Sequence, residues 1–144
     1  GPCIAKRKEA EYSENVDFVM TFEELGSILD GMEIDLEQVA PFQIDKEAYL
    51  SSHGYGSTGG VTKAVVEHLG GPEVNALLLS NLNKKNIGLL RAYAKSGKCP
   101  NQFIEVMACE NGCISGPVTR IDKATAAKVY TKELARMATE RAKK

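Results

Sequence analysis

No apolar run in this chain approaches the roughly 20 residues that span a bilayer. The opening Gly1-Pro2-Cys3-Ile4-Ala5-Lys6 also lacks the apolar stretch of a signal peptide. The sequence therefore reads as soluble and cytoplasmic, with no membrane insertion. Charge of one sign is missing too, since 18 basic residues stand against 19 acidic ones. No overall field invites nucleic acid, a membrane surface or a polyanionic substrate. Only four cysteines occur, Cys3, Cys99, Cys109 and Cys113, too few for a disulfide scaffold in a chain of this size. The two histidines, His53 and His68, are isolated. A structural zinc site needs a second Cys/His pair that is absent here, and no Ser-His-Asp arrangement can be read from them. Internal repeats, low-complexity segments and linkers are lacking as well.

What is present is a succession of short apolar runs and helical patterns in 144 residues of 43% hydrophobic content, enough for one core. Val16 to Met20 reads as a strand. Thr21-Phe22-Glu23-Glu24 has the capping-box pattern, opening a helix that should stop near Gly31. Residues 33–57 read mainly as loop. Val61, Ala64, Val65, His68 and Leu69 lie at helical spacing and end at the stop signal Gly70-Gly71-Pro72.

Val74 to Leu79 is a nearly unbroken apolar run of the kind a parallel sheet buries on both faces. Asn83 can cap the helix that follows, and Ser96-Gly97 closes it. Phe103 to Met107 is the next strand, and a long helix runs from Asp122 to the terminal cations Arg141, Lys143 and Lys144. Alternating strands and helices imply an α/β class with a mostly parallel sheet flanked by helices. Residues 1–144 read as one domain.

Sites in such sheets form beyond the carboxyl ends of strands, and that is where Cys109 and Cys113 fall. Their spacing contains Gly112, so a tight turn can aim both thiolates at one centre. Two incidental thiols remain the plain alternative. Soft thiolates favour an iron-sulfur cluster, which takes four cysteines where three are plausible here. The run Gly54 to Gly60 opens a helix but lacks the phosphate-binding Gly-Lys-Ser/Thr ending.

Two separated segments carry a more specific pattern. Pro2-Cys3-Ile4-Ala5-Lys6-Arg7-Lys8-Glu9 resembles the Met-Pro-Cys-x-x-Lys-x-x-Glu motif of the iron-only hydrogenases. Phe103 to Cys109, continuing to Cys113, is similar to that family's Met-Ala-Cys-x-x-Gly-Cys signature. Val16 to Leu25 and Tyr55 to Val61 resemble intervening family segments, in the right order.

The resemblance implies the C-terminal lobe of a two-lobed catalytic domain that reversibly reduces protons to dihydrogen. It implies a 4Fe-4S cubane bound by Cys3, Cys109 and Cys113, with Cys113 also bridging to the di-iron subcluster of an H-cluster. Lys6 would hydrogen-bond a cyanide ligand, Glu9 would hold Lys6, and Met107 and Tyr55 would lie near the cluster. A surface Lys/Glu pair and an ordinary core methionine are the alternatives. The implied partners are the upstream lobe, which carries the fourth cubane cysteine, and a ferredoxin-like electron donor or acceptor. Both that lobe and the ferredoxin-like domains are absent from this sequence, so an incomplete cluster and no activity are expected of these 144 residues alone.

Glu110-Asn111 stands where the family has Pro-Gly, and Ile114-Ser115-Gly116-Pro117 replaces its glycine-rich continuation. Those departures resemble a divergent, sensory-type branch. The rival reading is thus a hydrogen or redox sensor, or an iron-sulfur assembly factor of the same ancestry. Cys99 matches no ligand of the family and reads as a free thiol.

Overall fold

The computed structural model describes residues 1–42, 48–71 and 73–143. Pro72, Lys144 and residues 43–47 of the expected loop lie outside the described residues. The chain divides into two compact units: Gly1–Glu47 with Gly116–Arg120, and Ala48–Ser115 with Ile121–Lys144.

The first unit contains two helices, α1 (Ala5–Ala10) and α2 (Phe22–Gly31). α2 begins where the capping box requires. Thr21 Oγ1 accepts the Glu24 N–H at 3.1 Å, and the Glu24 carboxylate accepts the Thr21 N–H at 2.8 Å. Arg7 Nη2 donates to the same carboxylate, tying α1 to the start of α2. The Thr21 backbone bond and the Arg7 contact hold the Glu24 carboxyl below the usual glutamate range.

The expected strand at Val16 to Met20 is extended or bent chain without a ladder. Its apolar pattern is strand-like, but neither strand of the described sheet lies in this unit to take up its backbone. Much apolar surface stays open: Phe18 and Phe42 are 86% and 90% exposed, and Phe22, Leu25, Ile28 and Met32 are exposed along α2.

The second unit is a βαβ arrangement with additions. β1 (Ala76–Ser80) and β2 (Phe103–Met107) pair in parallel, Ala76 opposite Phe103 and Ser80 opposite Met107. α4 (Lys84–Ser96) connects them. Asn83 caps it by accepting the Asn86 N–H at 3.0 Å, and Gly97 ends it in the left-handed conformation at φ +66°. α3 (Gly60–His68) packs on β2 and on a 3₁₀ turn at Leu50–Gly54.

α5 (Lys123–Arg141) packs on that turn and on a second 3₁₀ turn at Cys113–Ser115. Asp122 caps α5 through the Thr125 amide, and its hydrogen bonds to Thr125 lower its pKa. The core comprises Ala64, Leu79, Met107 and Ala126. The class is α/β, as the strand and helix alternation predicts, with a sheet of two strands among the described residues. Leu78 and Val106 remain exposed, so a two-strand sheet leaves part of each apolar run uncovered. No helix of the described residues is long and apolar enough to cross a membrane.

Candidate metal centre

β2 runs straight into the cysteine loop. Met107, its last residue, is buried in the core, Cys109 is half-buried, and Cys113 is exposed at the first position of its 3₁₀ turn. Between the thiols the backbone reverses through two consecutive left-handed residues, Asn111 at φ +63° and Gly112 at φ +94°. Asparagine is among the few residues that tolerate this region, which explains how it can stand where the hydrogenase motif has glycine. Gly112 has no such substitute. A Cβ on it would lie 2.7 Å from the Gly56 carbonyl oxygen and 2.9 Å from the Thr58 nitrogen.

That close approach marks a backbone zipper between two loops. The Thr58 N–H donates to the Asn111 carbonyl at 3.2 Å, and the Ile114 N–H donates to the Gly56 carbonyl at 3.0 Å. Ser80, at the end of β1, accepts the Asn111 N–H at 2.8 Å and donates to the Cys109 carbonyl at 3.4 Å. Lys123, at the start of α5, pairs with Glu110 at 3.2 Å in an exposed contact of small energetic weight. The loop carrying both thiols is therefore fixed by its own backbone. Two further hydroxyls border it, Thr58 Oγ1 and Ser115 Oγ, buried without a partner among the described residues.

The glycine-rich run is shaped by a residue that sequence reading passes over. Glu105, 3% exposed in the middle of β2, accepts the Gly59 N–H at 2.6 Å, the Thr62 N–H at 2.8 Å and the Thr62 hydroxyl at 2.8 Å. Its carboxylate sits at the positive end of α3 and caps a helix whose own N-cap, Gly59, has no side chain. A phosphate at these amides would meet that carboxylate, in keeping with the run's lack of a phosphate-binding ending. The available signal was a charge between the apolar Ile104 and Val106, which demands a buried partner.

Tyr130 was also missed. Its hydroxyl accepts the Gly56 N–H at 3.0 Å and donates to the His53 carbonyl.

Tyr55 is exposed and ends the 3₁₀ turn at Leu50–Gly54, beside a pocket that Tyr49 and His68 also line. In the first unit, Cys3 is half-buried just before α1, where the Lys6 ammonium donates to Glu9 at 2.6 Å. Both side chains of that pair are exposed. Cys99 is an exposed thiol.

Among the described residues no group of three or more His, Cys, Asp or Glu is gathered for a metal ion. What the second unit holds is a pair of thiols on a rigid turn with unpartnered hydroxyls beside it. Soft donors and unused hydrogen-bond donors both suit a thiolate-bound iron-sulfur group, though the pair leaves its ligand set incomplete.

Residues 1–117 match the family model described as the iron-only hydrogenase large subunit, C-terminal domain. The chain belongs to this family. The match takes in both cysteine segments and every candidate ligand, and ends before α5. The chain is also similar to a probable cytosolic Fe-S cluster assembly factor of Aedes aegypti, 26% identical over 160 residues. That similarity covers 80% of this chain and 34% of the relative, so the chain spans about a third of that relative's length.

Proposed function

We propose that this chain forms the C-terminal lobe of an iron-only hydrogenase catalytic domain, with Cys3, Cys109 and Cys113 as cluster ligands. The observation that carries this reading is the Cys109–Cys113 turn. Its backbone is fixed at the carboxyl end of β2, inside a match to the hydrogenase family. Cys109 and Cys3 would each hold a corner of a 4Fe-4S cubane, and Cys113 would join the cubane to the di-iron subcluster. When bound, that cluster would supply the iron at which two protons, with two electrons from a redox partner, become dihydrogen.

The chain's own residues contribute orientation and shielding. The Lys6 ammonium, which donates to Glu9, would also donate to a cyanide ligand. Glu9 fixes the direction of that ammonium. Met107, buried at the end of β2, and Tyr55 would lie near the cluster. The apolar residues exposed along α2, together with Phe18 and Phe42, support an upstream lobe as the partner that covers them and supplies the missing ligand. A ferredoxin-like protein would carry the electrons, and the location would be cytoplasmic.

The similarity to a cytosolic Fe-S assembly factor favours one rival, in which the same thiols serve cluster handling without hydrogen chemistry. The divergent residues after Cys113 favour another, a hydrogen or redox sensor. Gas-phase assay of the full-length protein, matured anaerobically, separates the three. Hydrogen evolution from reduced viologen is expected. A protein that retains di-iron yet shows no turnover would be a sensor, and one that binds cubane iron but never di-iron would fit the assembly role.

A further inference from the structure

α5 lies beyond the residues that match the hydrogenase family, and besides the Lys123–Glu110 pair at its start it connects to the cysteine loop through Tyr130 and the loop 53–56. The Tyr130 hydroxyl donates to the His53 carbonyl and accepts the Gly56 N–H, so both of its hydrogen-bonding roles are spent on the loop 53–56. The Gly56 carbonyl then accepts the N–H of Ile114, the residue after Cys113.

Little slack exists along this path. A Cβ at Gly56 would lie 2.9 Å from Tyr130 Oη and 3.1 Å from Ile114 Cγ2, and one at Gly112 would press on the Gly56 carbonyl. Gly56 thus transmits position from α5 to Cys113 as a rigid spacer, because it bonds Tyr130 through its N–H and Ile114 through its carbonyl.

We propose that Tyr130 is a positioning residue for the cysteine loop, setting through Gly56 where the backbone of Cys113 is held. The consequence for a bound cluster rests on the function proposed above. The mechanical link does not, and can be read in the metal-free chain.

Tyr130→Phe keeps the ring and removes both hydrogen bonds. Amide hydrogen exchange followed by NMR should show the Gly56 and Ile114 amides exchanging about fivefold faster, the population change that loss of one ordinary hydrogen bond produces. Leu79 and Val106, in β1 and β2, should keep their wild-type rates. Glu133→Ala, on the exposed side of the same helix, should leave all four unchanged.

Gly56→Ala pushes on the same link from the other end and should accelerate Ile114 with the strands unaffected. Wild-type exchange at Ile114 in Tyr130→Phe would overturn the proposal. So would acceleration spread evenly over the strands, which would make Tyr130 a general stabiliser. If neither variant kept the wild-type circular dichroism, the tyrosine would be a determinant of folding rather than of loop position, and the proposal would fall. None of these outcomes depends on iron, so failure here leaves the cluster reading standing.

Discussion

Cys113→Ser in the full-length, cofactor-matured protein is expected to abolish both hydrogen uptake and hydrogen evolution while leaving most of the cubane's visible absorbance. The reason is connectivity. Cys3 and Cys109 would each hold one corner of a cubane that has other anchors, whereas Cys113 alone would tether the di-iron subcluster. A serine hydroxyl is a hard and weakly acidic donor, a poor replacement for thiolate on iron. Nor can a neighbour step in easily. The residue after Cys113 is bonded to Gly56, and Gly112 is wedged against residues 56–58, so the loop cannot shift to offer another side chain. Hydrogen measured by gas chromatography, alongside the absorbance spectrum, reads both halves of the expectation. Wild-type turnover in this variant would show that the bridging role belongs elsewhere.

Glu105→Ala should cost about 3–5 kcal/mol of unfolding free energy, since hydrogen bonds to a charged group contribute roughly 1.5–3 kcal/mol each and a buried donor left unmade costs about 1–3. The variant strands the Gly59 and Thr62 amides at the start of α3 and frees the Thr62 hydroxyl. Against a typical total stability of about 5–15 kcal/mol, such a loss leaves the second unit marginal. Glu105→Gln keeps an acceptor but brings an NH₂ group into a site that offers donors. It should fall between wild type and alanine. Urea denaturation of the metal-free chain gives both values. A loss below about 1 kcal/mol for Glu105→Ala would mean that water replaces the carboxylate without penalty.

These two residues mark the two sides of what the sequence made legible. The βαβ unit could be read because its determinants are local: apolar runs for β1 and β2, Asn83 as cap and Gly97 as a left-handed stop. The Thr21 and Glu24 box likewise needs only three residues of separation. The cysteine turn was legible as a motif, although the sequence does not show which backbone groups pin it.

Long-range partners were not legible. Glu105 meets Gly59 from 46 positions away, and Tyr130 meets Gly56 from 74, distances over which spacing carries no information. Val16 to Met20 failed for a related reason. Its pattern suits a strand, but a strand also needs a neighbour, which local sequence cannot supply. α1, six residues long with none buried, shows too little periodicity to be read in advance.

The central claim is that Cys3, Cys109 and Cys113 hold iron, and its most direct test is the iron and acid-labile sulfide retained by anaerobically purified full-length protein. Wild type should be compared with Cys→Ser variants at positions 3, 99, 109 and 113. Cys99→Ser should keep the wild-type content, because that thiol is exposed and matches no ligand position. The other three should each lower iron, with di-iron lost most completely from Cys113→Ser. Undiminished iron in all three, or loss confined to Cys99→Ser, would contradict it.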